Sequence, residues 1–214
     1  RRGAMRRVLS MGLTVLLMAG CSGLAVLQPR AVPDPKVILY RLGDVAVMPV
    51  AGDPADVMVG VRPFTAVPEL AGDALVAFSS PVEVQRAIHH SWVTGLRQIV
   101  TDAALRGLDS ARVFDRVGPA SSLPHATLHL QGHILGFHEE DTAEGVFAVV
   151  RLRLELASAD THRSMGPPVV VVARRAVMAE NADDRWAALV GGLGEALGEA
   201  LSHAAPALRG QLEG

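Results

Sequence analysis

Alternation of apolar and polar residues predicts three long β-strands in the second half of the chain. Residues 124–139 and 145–157 alternate with a period of two, the spacing that places side chains on one face of a strand, and residues 167–178 contain the β-branched run Val169–Val172. The polar run 139–144 joins the first two strands, and residues 160–164 join the second to the third. Strands with such short connections pair as antiparallel neighbours, so we expect a meander.

Shorter apolar runs predict further strands in the first half. They cover residues 37–42, 57–62, 74–78, 82–88 and 112–117, with residues 45–48 as a further candidate. Pro63, Pro68 and Gly72 interrupt the chain between them.

Apolar residues at spacings of three and four predict two amphipathic helices. The first starts at Trp92, with Ser91 as its N-cap, and ends at Gly107 or Asp109. The second covers about residues 183–205, with Asp183 or Asp184 as its cap, and Trp186 leads its apolar stripe. We expect Trp92 and Trp186 to be buried core residues between helices and sheet.

Four glycines interrupt the second helix, at positions 191, 192, 194 and 198. Each costs about 1 kcal/mol of helix propensity relative to alanine. Close packing of the helix on the sheet would explain this cost, and a loosely held helix is equally compatible with the sequence.

The order of these elements predicts an α/β fold. We expect a two-layer α/β sandwich, in which a mostly antiparallel sheet carries the two amphipathic helices on one face. The domain covers residues 36–208, and residues 209–214 are expected to form a frayed tail.

The first 20 residues have the pattern of a signal peptide. Four arginines within residues 1–7 precede an uncharged stretch of 13 residues, 8–20, which is short for a membrane-spanning helix of about 20 residues. Residues 21–35 contain three prolines and little periodicity, which is typical of a tether.

The signal peptide ends in Leu17-Met18-Ala19-Gly20-Cys21, which resembles the bacterial lipobox. The resemblance implies cleavage between Gly20 and Cys21 and covalent attachment of lipid, including palmitate, to Cys21. Cys21 is the only cysteine of the chain, which favours the lipobox over an ordinary signal peptide with a coincidental cysteine. Ser22 in the next position favours the outer membrane, facing the periplasm.

Composition excludes several functional classes. The net charge is −2, so a nucleic-acid partner is not expected. A single cysteine excludes an internal disulfide and a cysteine-based zinc site. The sequence contains no Gly-x-x-x-x-Gly-Lys, Gly-x-Ser-x-Gly or His-Glu-x-x-His motif, so we expect neither ATP hydrolysis nor a recognisable hydrolase.

Three short segments of the mature chain, together with the lipobox, resemble one family. They are Val37-Ile38-Leu39-Tyr40-Arg41-Leu42, Val57-Met58-Val59-Gly60-Val61-Arg62-Pro63-Phe64 and Arg86-Ala87-Ile88-His89-His90-Ser91-Trp92. Their order is similar to that in the PqiC-like auxiliary lipoproteins of ABC-type transport systems.

The resemblance implies a non-enzymatic envelope lipoprotein that docks an intermembrane phospholipid transport assembly at the membrane. Its partners would be an ABC permease and ATPase, an MCE-domain protein and further copies of itself, with no cofactor besides the lipid on Cys21. An alternative is a periplasmic lipoprotein that binds lipid or another ligand in its own apolar cavity. A periplasmic hydrolase is a third alternative, since serine, histidine and aspartate are all present.

Histidines on the first long strand form the main candidate site. His125, His129 and His133 share a polar face with Thr127 and Gln131, and residues four apart on a strand are about 13 Å apart, too far to share a metal ion. This strand face lacks charged residues of its own, which is typical of the centre of an interface. We therefore weigh an interface with another subunit or the MCE partner, formed by His125, His129, Gln131 and His133, against plain exposure.

Overall fold

A computed structural model describes residues 36–80, 82–179, 181 and 184–212. The predicted signal peptide, Cys21 and the tether therefore lie outside the described residues. Residues from Lys36 onward form a compact unit with its own hydrophobic core. The strands are β1 (Ile38–Tyr40), β2 (Ala55–Val61), β3 (Thr65–Ala66), β4 (Ala74–Ser80), β5 (Glu83–Trp92), β6 (Phe114–Pro119), β7 (Leu128–Thr142), β8 (Gly145–Ser158) and β9 (Val169–Ala176). The helices are α1 (Leu96–Ser110) and α2 (Arg185–Gly210), and single 3₁₀ turns cover Pro68–Leu70 and Ala120–Ser122.

The meander of β7, β8 and β9 confirms the antiparallel arrangement expected from the alternation. β7 pairs with β8 from Leu128 opposite Ser158 to Thr142 opposite Gly145, with one register shift between Ile134 and Gly136. β9 pairs antiparallel with β8 along its whole length.

The other side of β7 pairs with three short strands in succession. β2, β3 and β4 run parallel to it at residues 128–130, 133–134 and 139–140. β6 adds to β2, β5 adds to β4 as an antiparallel hairpin, and β1 adds to β5 in parallel. The α/β class is therefore confirmed, with a mixed sheet in which every parallel pair includes a strand from the first half of the sequence.

Both helices pack over the apolar face of this sheet. α2 contacts β8 and β9, α1 contacts β6, and the two helices contact each other. The interface consists of completely buried leucines, among them Leu152, Leu154 and Leu156 from β8 and Leu189, Leu197 and Leu201 from α2. Burial of each such side chain contributes about 1.5–3 kcal/mol to folding.

The helix boundaries differ from the sequence predictions. α1 begins at Leu96 with Gly95 as its N-cap, not Ser91. Trp92 ends β5 instead of starting the helix, because its N–H donates to the carbonyl of Asp73, 2.6 Å away, and keeps the residue in the sheet. Apolar residues continue at helical spacing from the end of β5 into α1, so periodicity alone does not show where the strand ends and the helix begins.

The predicted frayed tail at 209–214 is wrong for its described part. α2 continues through Pro206 to Gly210, and Arg209 Nη1 donates to the carbonyl of Ala51 at 2.9 Å. Gln211 Nε2 donates to the carbonyl of Pro167 at 2.7 Å.

Residues 45–48 do not form a strand but cross over α2. Met48 N–H donates to Ser202 Oγ at 2.9 Å, and Val47 is buried. The crossing requires Gly198, where a Cβ would lie 2.4 Å from the carbonyl oxygen of Ala46. Gly192 faces the sheet instead, where a Cβ would lie 3.0 Å from Ala148 Cβ.

Candidate functional surfaces

The predicted histidine face is partly assembled by the structure. His129, Gln131 and His133 project from β7 on the side away from the helices, whereas His125 lies in the turn before the strand and is exposed. His129 and His133 are half-buried, and Gln131 is exposed.

The residues that β7 itself contributes to this face are uncharged types, but neighbouring strands add charged side chains. Gln131 lies opposite Glu155 and His133 opposite Arg153 on β8. The sequence pattern had already placed Arg153 and Glu155 on the polar side of their strand. These four side chains line a polar depression of about 150 Å³.

His129 is held in place by Arg62, the residue that follows β2. Arg62 Nε donates to His129 Nδ1 at 3.2 Å, so the neutral imidazole carries its proton on Nε2. The ring lies over Gly60, where a Cβ would come within 3.0 Å of the ring carbon Cδ2. Burial lowers the pKa of His129, and the charges of Arg62 and His162 lower it further.

His133 contacts a hydroxyl group. Thr65 Oγ1 lies 2.6 Å from His133 Nδ1, because β3 pairs Thr65 directly with His133. A hydroxyl beside an imidazole provides two of the three members of a nucleophilic triad. Within the described residues no carboxylate is hydrogen-bonded to His133, so the orienting member of a triad does not accompany the pair.

A second cluster, which the sequence did not predict, joins β1, β5 and α2. The His90 ring stacks on Tyr40 with a centroid distance of 5.7 Å and on Trp186 with one of 5.1 Å. Tyr40 Oη and His90 Nδ1 are 2.9 Å apart. Burial lowers the pKa of His90, with a smaller contribution from His89.

The two tryptophans differ in burial. Trp92 is 3% exposed and meets the Phe137 ring edge-on at 5.8 Å, in the core as expected. Trp186 is only partly buried, because it lies in the first turn of α2 and stacks on His90 at the margin of the sheet.

Beside this cluster, Arg185 forms a bidentate ion pair with Glu139, a β7 residue that is only 1% exposed. The hydrogen bond to Glu139 raises the pKa of Arg185. The arrangement neutralises a carboxylate that would otherwise be buried without a partner.

A groove of about 610 Å³ lies between α2 and residues 43–48. It is open to solvent, and its walls include Asp44, Glu195 and the Arg175–Glu199 ion pair. Within the described ranges, no three His, Cys, Asp or Glu side chains lie close enough to hold a metal ion. A search of the same residues finds no helix with the length and hydropathy needed to cross a bilayer.

Several solved structures have a similar fold. Protein XCC0632 from Xanthomonas campestris superposes with a TM-score of 0.69 at 15% identity, covering 82% of this chain and 98% of that one. An uncharacterized protein gives 0.60 at 16% identity, covering 81% and 99%. The hypothetical protein CT253 from Chlamydia trachomatis gives 0.52 at 11% identity, covering 74% and 98%. No curated protein matches the chain.

A family model covers almost the whole described domain. It is described as the ABC-type transport auxiliary lipoprotein component, and it matches residues 40–205, from the last residue of β1 to the final turns of α2. The match agrees with the resemblance of the short segments around Tyr40, Gly60 and Trp92. The chain therefore belongs to the family of ABC-type transport auxiliary lipoprotein components.

Proposed function

We propose that this protein is a non-enzymatic, lipid-anchored component that docks an ABC/MCE-type phospholipid transport assembly at the membrane. The observation that carries the proposal is the family match over residues 40–205. The motif that ends at Cys21, the only cysteine of the chain, supports the anchor.

The lipid anchor follows from the chemistry of the N-terminus. Diacylglycerol on Cys21 provides two acyl chains, and two chains anchor a protein stably whereas one binds only marginally. Ser22 in the next position supports retention at the outer membrane with the domain facing the periplasm.

The surface chemistry is more consistent with binding than with catalysis. The hydroxyl–imidazole pair of Thr65 and His133 is exposed, and no carboxylate in the described part of the chain orients the imidazole. A catalytic dyad is ordinarily oriented by a third group in a water-poor site.

The alternative function, lipid binding in an internal cavity, requires an enclosed apolar space. The groove between α2 and residues 43–48 is instead open and has charged walls. Lipid carriage by a partner protein, with this chain as the anchor, fits these properties better than carriage by the chain itself.

The histidine face is our candidate contact with another copy of the chain or with an MCE-domain partner. His129 and His133 are half-buried, and burial lowers the pKa of His129 and favours its neutral form. Arg153 and Glu155 beside them provide charges that a partner can pair. An ABC permease and ATPase complete the proposed assembly.

Metabolic labelling with a radioactive fatty acid tests the anchor. The parental chain and a Ser22→Ala control should incorporate label and remain in the membrane fraction. The Cys21→Ala variant should lose the label and accumulate as an uncleaved or released chain. Label retained by Cys21→Ala would refute lipidation at this residue.

Affinity purification of the acylated chain from crosslinked cells tests the assembly. We expect an ABC permease, an ATPase and an MCE-domain protein to be recovered with it. Recovery of none of the three under conditions that preserve the crosslinked membrane would contradict the transport role.

A further inference from the structure

One rim of the sheet concentrates exposed apolar side chains. It is formed by β1, by β5 and by the turn that precedes β5, and its members are Val37, Ile38, Leu39, Val82, Val84 and Ile88. These six make up half of the twelve large apolar side chains that are exposed among the described residues. Val82 and Ile88 are 92% and 83% exposed. We refer to these six residues as the apolar rim.

The rim is also an incompletely paired sheet edge. β1 pairs with β5 only at His90, Ser91 and Trp92, although β5 begins at Glu83. Exposed edges of soluble proteins are ordinarily protected by charged residues or prolines. Here Arg86 does not cover the apolar side chains, because its guanidinium donates to the backbone carbonyls of Ala71 and Glu69.

The position of the rim is set by the direction of β1. β1 pairs with the last three residues of β5, and because the two strands are parallel, Lys36 and Val37 lie on the side of Ile38 that faces the start of β5 and the Val82 turn. The chain therefore enters the domain at Lys36, directly beside the rim. Fourteen residues separate Lys36 from Cys21, and a span of this length reaches at most about 50 Å.

This geometry identifies the surface that would meet the rim. A lipid on Cys21 keeps the entry point of the domain within about 50 Å of the bilayer, which gives the rim a high effective concentration at the lipid surface. Tyr40 and the half-buried Trp186 lie next to Ile38 through their stacking on His90. Tyrosine and tryptophan are the residues enriched at membrane–water interfaces.

We propose that the apolar rim docks on the surface of a lipid bilayer, with its valine and isoleucine side chains at the boundary between headgroups and acyl chains. The proposal deepens the anchoring function and rests on lipidation of Cys21 only for the proximity of the membrane. The charged side chains within residues 36–39 and 82–88 are Lys36, Glu83 and Arg86, a net charge of only +1, so the contact does not depend on anionic lipid.

Vesicle flotation tests the rim without the anchor. A chain beginning at Ser22 retains the compact unit and is mixed with neutral phosphatidylcholine–phosphatidylethanolamine vesicles. We expect binding that persists in 0.5 M salt, because salt at this concentration screens surface charges but does not weaken apolar contacts. The double variant Val82→Asp, Ile88→Asp should lower the apparent affinity at least tenfold.

The matched control places the same charges on the opposite edge of the sheet. Val170 and Val172 on β9 are 57% and 47% exposed, and their replacement by aspartate should leave vesicle binding unchanged. Equal melting temperatures of the two double variants would show that both fold, because all four side chains are exposed. Absence of binding by the parental chain, or equal losses in both variants, would refute the proposal.

The same variants distinguish the lipid surface from a second copy of the chain. If the rim variants alter the sedimentation coefficient without vesicles and leave flotation unchanged, the rim is a protein interface and the proposal is wrong. Fatty-acid labelling of Cys21 is independent of flotation by the Ser22 chain. Loss of the label with intact flotation would refute the anchor while leaving rim docking in place.

Discussion

Arg185 forms a bidentate ion pair with the buried carboxylate of Glu139 through two guanidinium nitrogens. Arg185 Nε lies 2.9 Å from Glu139 Oε2, and the terminal Nη2 bonds the other carboxylate oxygen. Glu139 is 1% exposed, whereas the Arg185 side chain is 44% exposed. A cation in the first turn of a helix opposes the helix dipole, so the position of Arg185 is explained by its partner and not by the helix.

We predict that Arg185→Met destabilises the domain by about 2–3 kcal/mol, below the ~3–5 kcal/mol of a fully buried pair, because solvent reaches the arginine. The double variant Glu139→Leu, Arg185→Met should recover most of this loss, since no charge then remains buried. Urea unfolding of both variants and of the parental chain provides the measurement. A double variant no more stable than the single one would contradict the role of the carboxylate.

His138 provides a second prediction, on pH dependence. Its ring lies 4.2 Å from the Phe78 ring, and burial followed by the charge of Arg151 lowers its pKa to about 4. The folded protein therefore keeps His138 neutral while the unfolded chain binds a proton below pH 6.5. Stability from this residue is present above pH 6.5 and is lost as pH falls towards 4.

The lowered pKa of His138 corresponds to a loss of at most about 3 kcal/mol in the free energy of unfolding. Because solvent partly screens the half-buried ring, we expect a loss of about 1–2 kcal/mol. The His138→Leu variant should show a shallower fall of melting temperature between pH 7 and 4 than the parental chain. His203→Leu, at an exposed position on α2, is the control and should follow the parental curve. Identical slopes for all three chains would show that His138 does not control acid stability.

The meander of β7, β8 and β9 could be predicted from local sequence patterns, because its strands pair in sequence order and are joined by short turns. The period of two at Leu128, Leu130 and Ile134 identified the buried face of β7, and all three are buried. The same reasoning failed at Trp92, where apolar spacing continues from a strand into a helix.

The second cluster could not be predicted because its contacts are distant in sequence. Tyr40, His90 and Trp186 come from three elements, and no local pattern reveals that β1 pairs with β5 in parallel. The charge of the histidine face has the same origin, since Arg62 reaches His129 from another strand. The residue pattern of one strand predicts which of its own side chains share a face, but it does not predict which side chains neighbouring strands contribute to that face.

The histidine face leads to a prediction about assembly. Protonation of His129 removes the acceptor of the Arg62 hydrogen bond and places two cations side by side. Because the pKa of His129 is lowered, this change occurs below pH 6.5. We predict that assemblies formed through this face dissociate as the pH falls from 8 to 5.5.

Light scattering of the chain from Ser22, recorded across this pH range, measures the change. The His133→Asp variant should weaken assembly at pH 8, because a carboxylate at this half-buried position loses its hydration when two surfaces meet there. His203→Asp, on the helix side, is the control. A particle mass that is constant across the pH range and in both variants would exclude self-association through the face and leave the MCE partner as its candidate contact.

The glycines of α2 give the last prediction, because two of them have opposite surroundings. At Gly198 an added Cβ would lie 2.4 Å from the carbonyl oxygen of Ala46, whereas at Gly191 nothing lies within 4 Å. Gly198→Ala must displace residues 45–48 and should destabilise the domain by about 1–3 kcal/mol. Gly191→Ala should stabilise it by up to about 1 kcal/mol through helix propensity alone. Thermal unfolding of the two variants measures both signs at once. If Gly198→Ala proves as stable as Gly191→Ala, the close crossing of residues 45–48 over α2 does not hold the segment in place, and the glycine there serves no packing role.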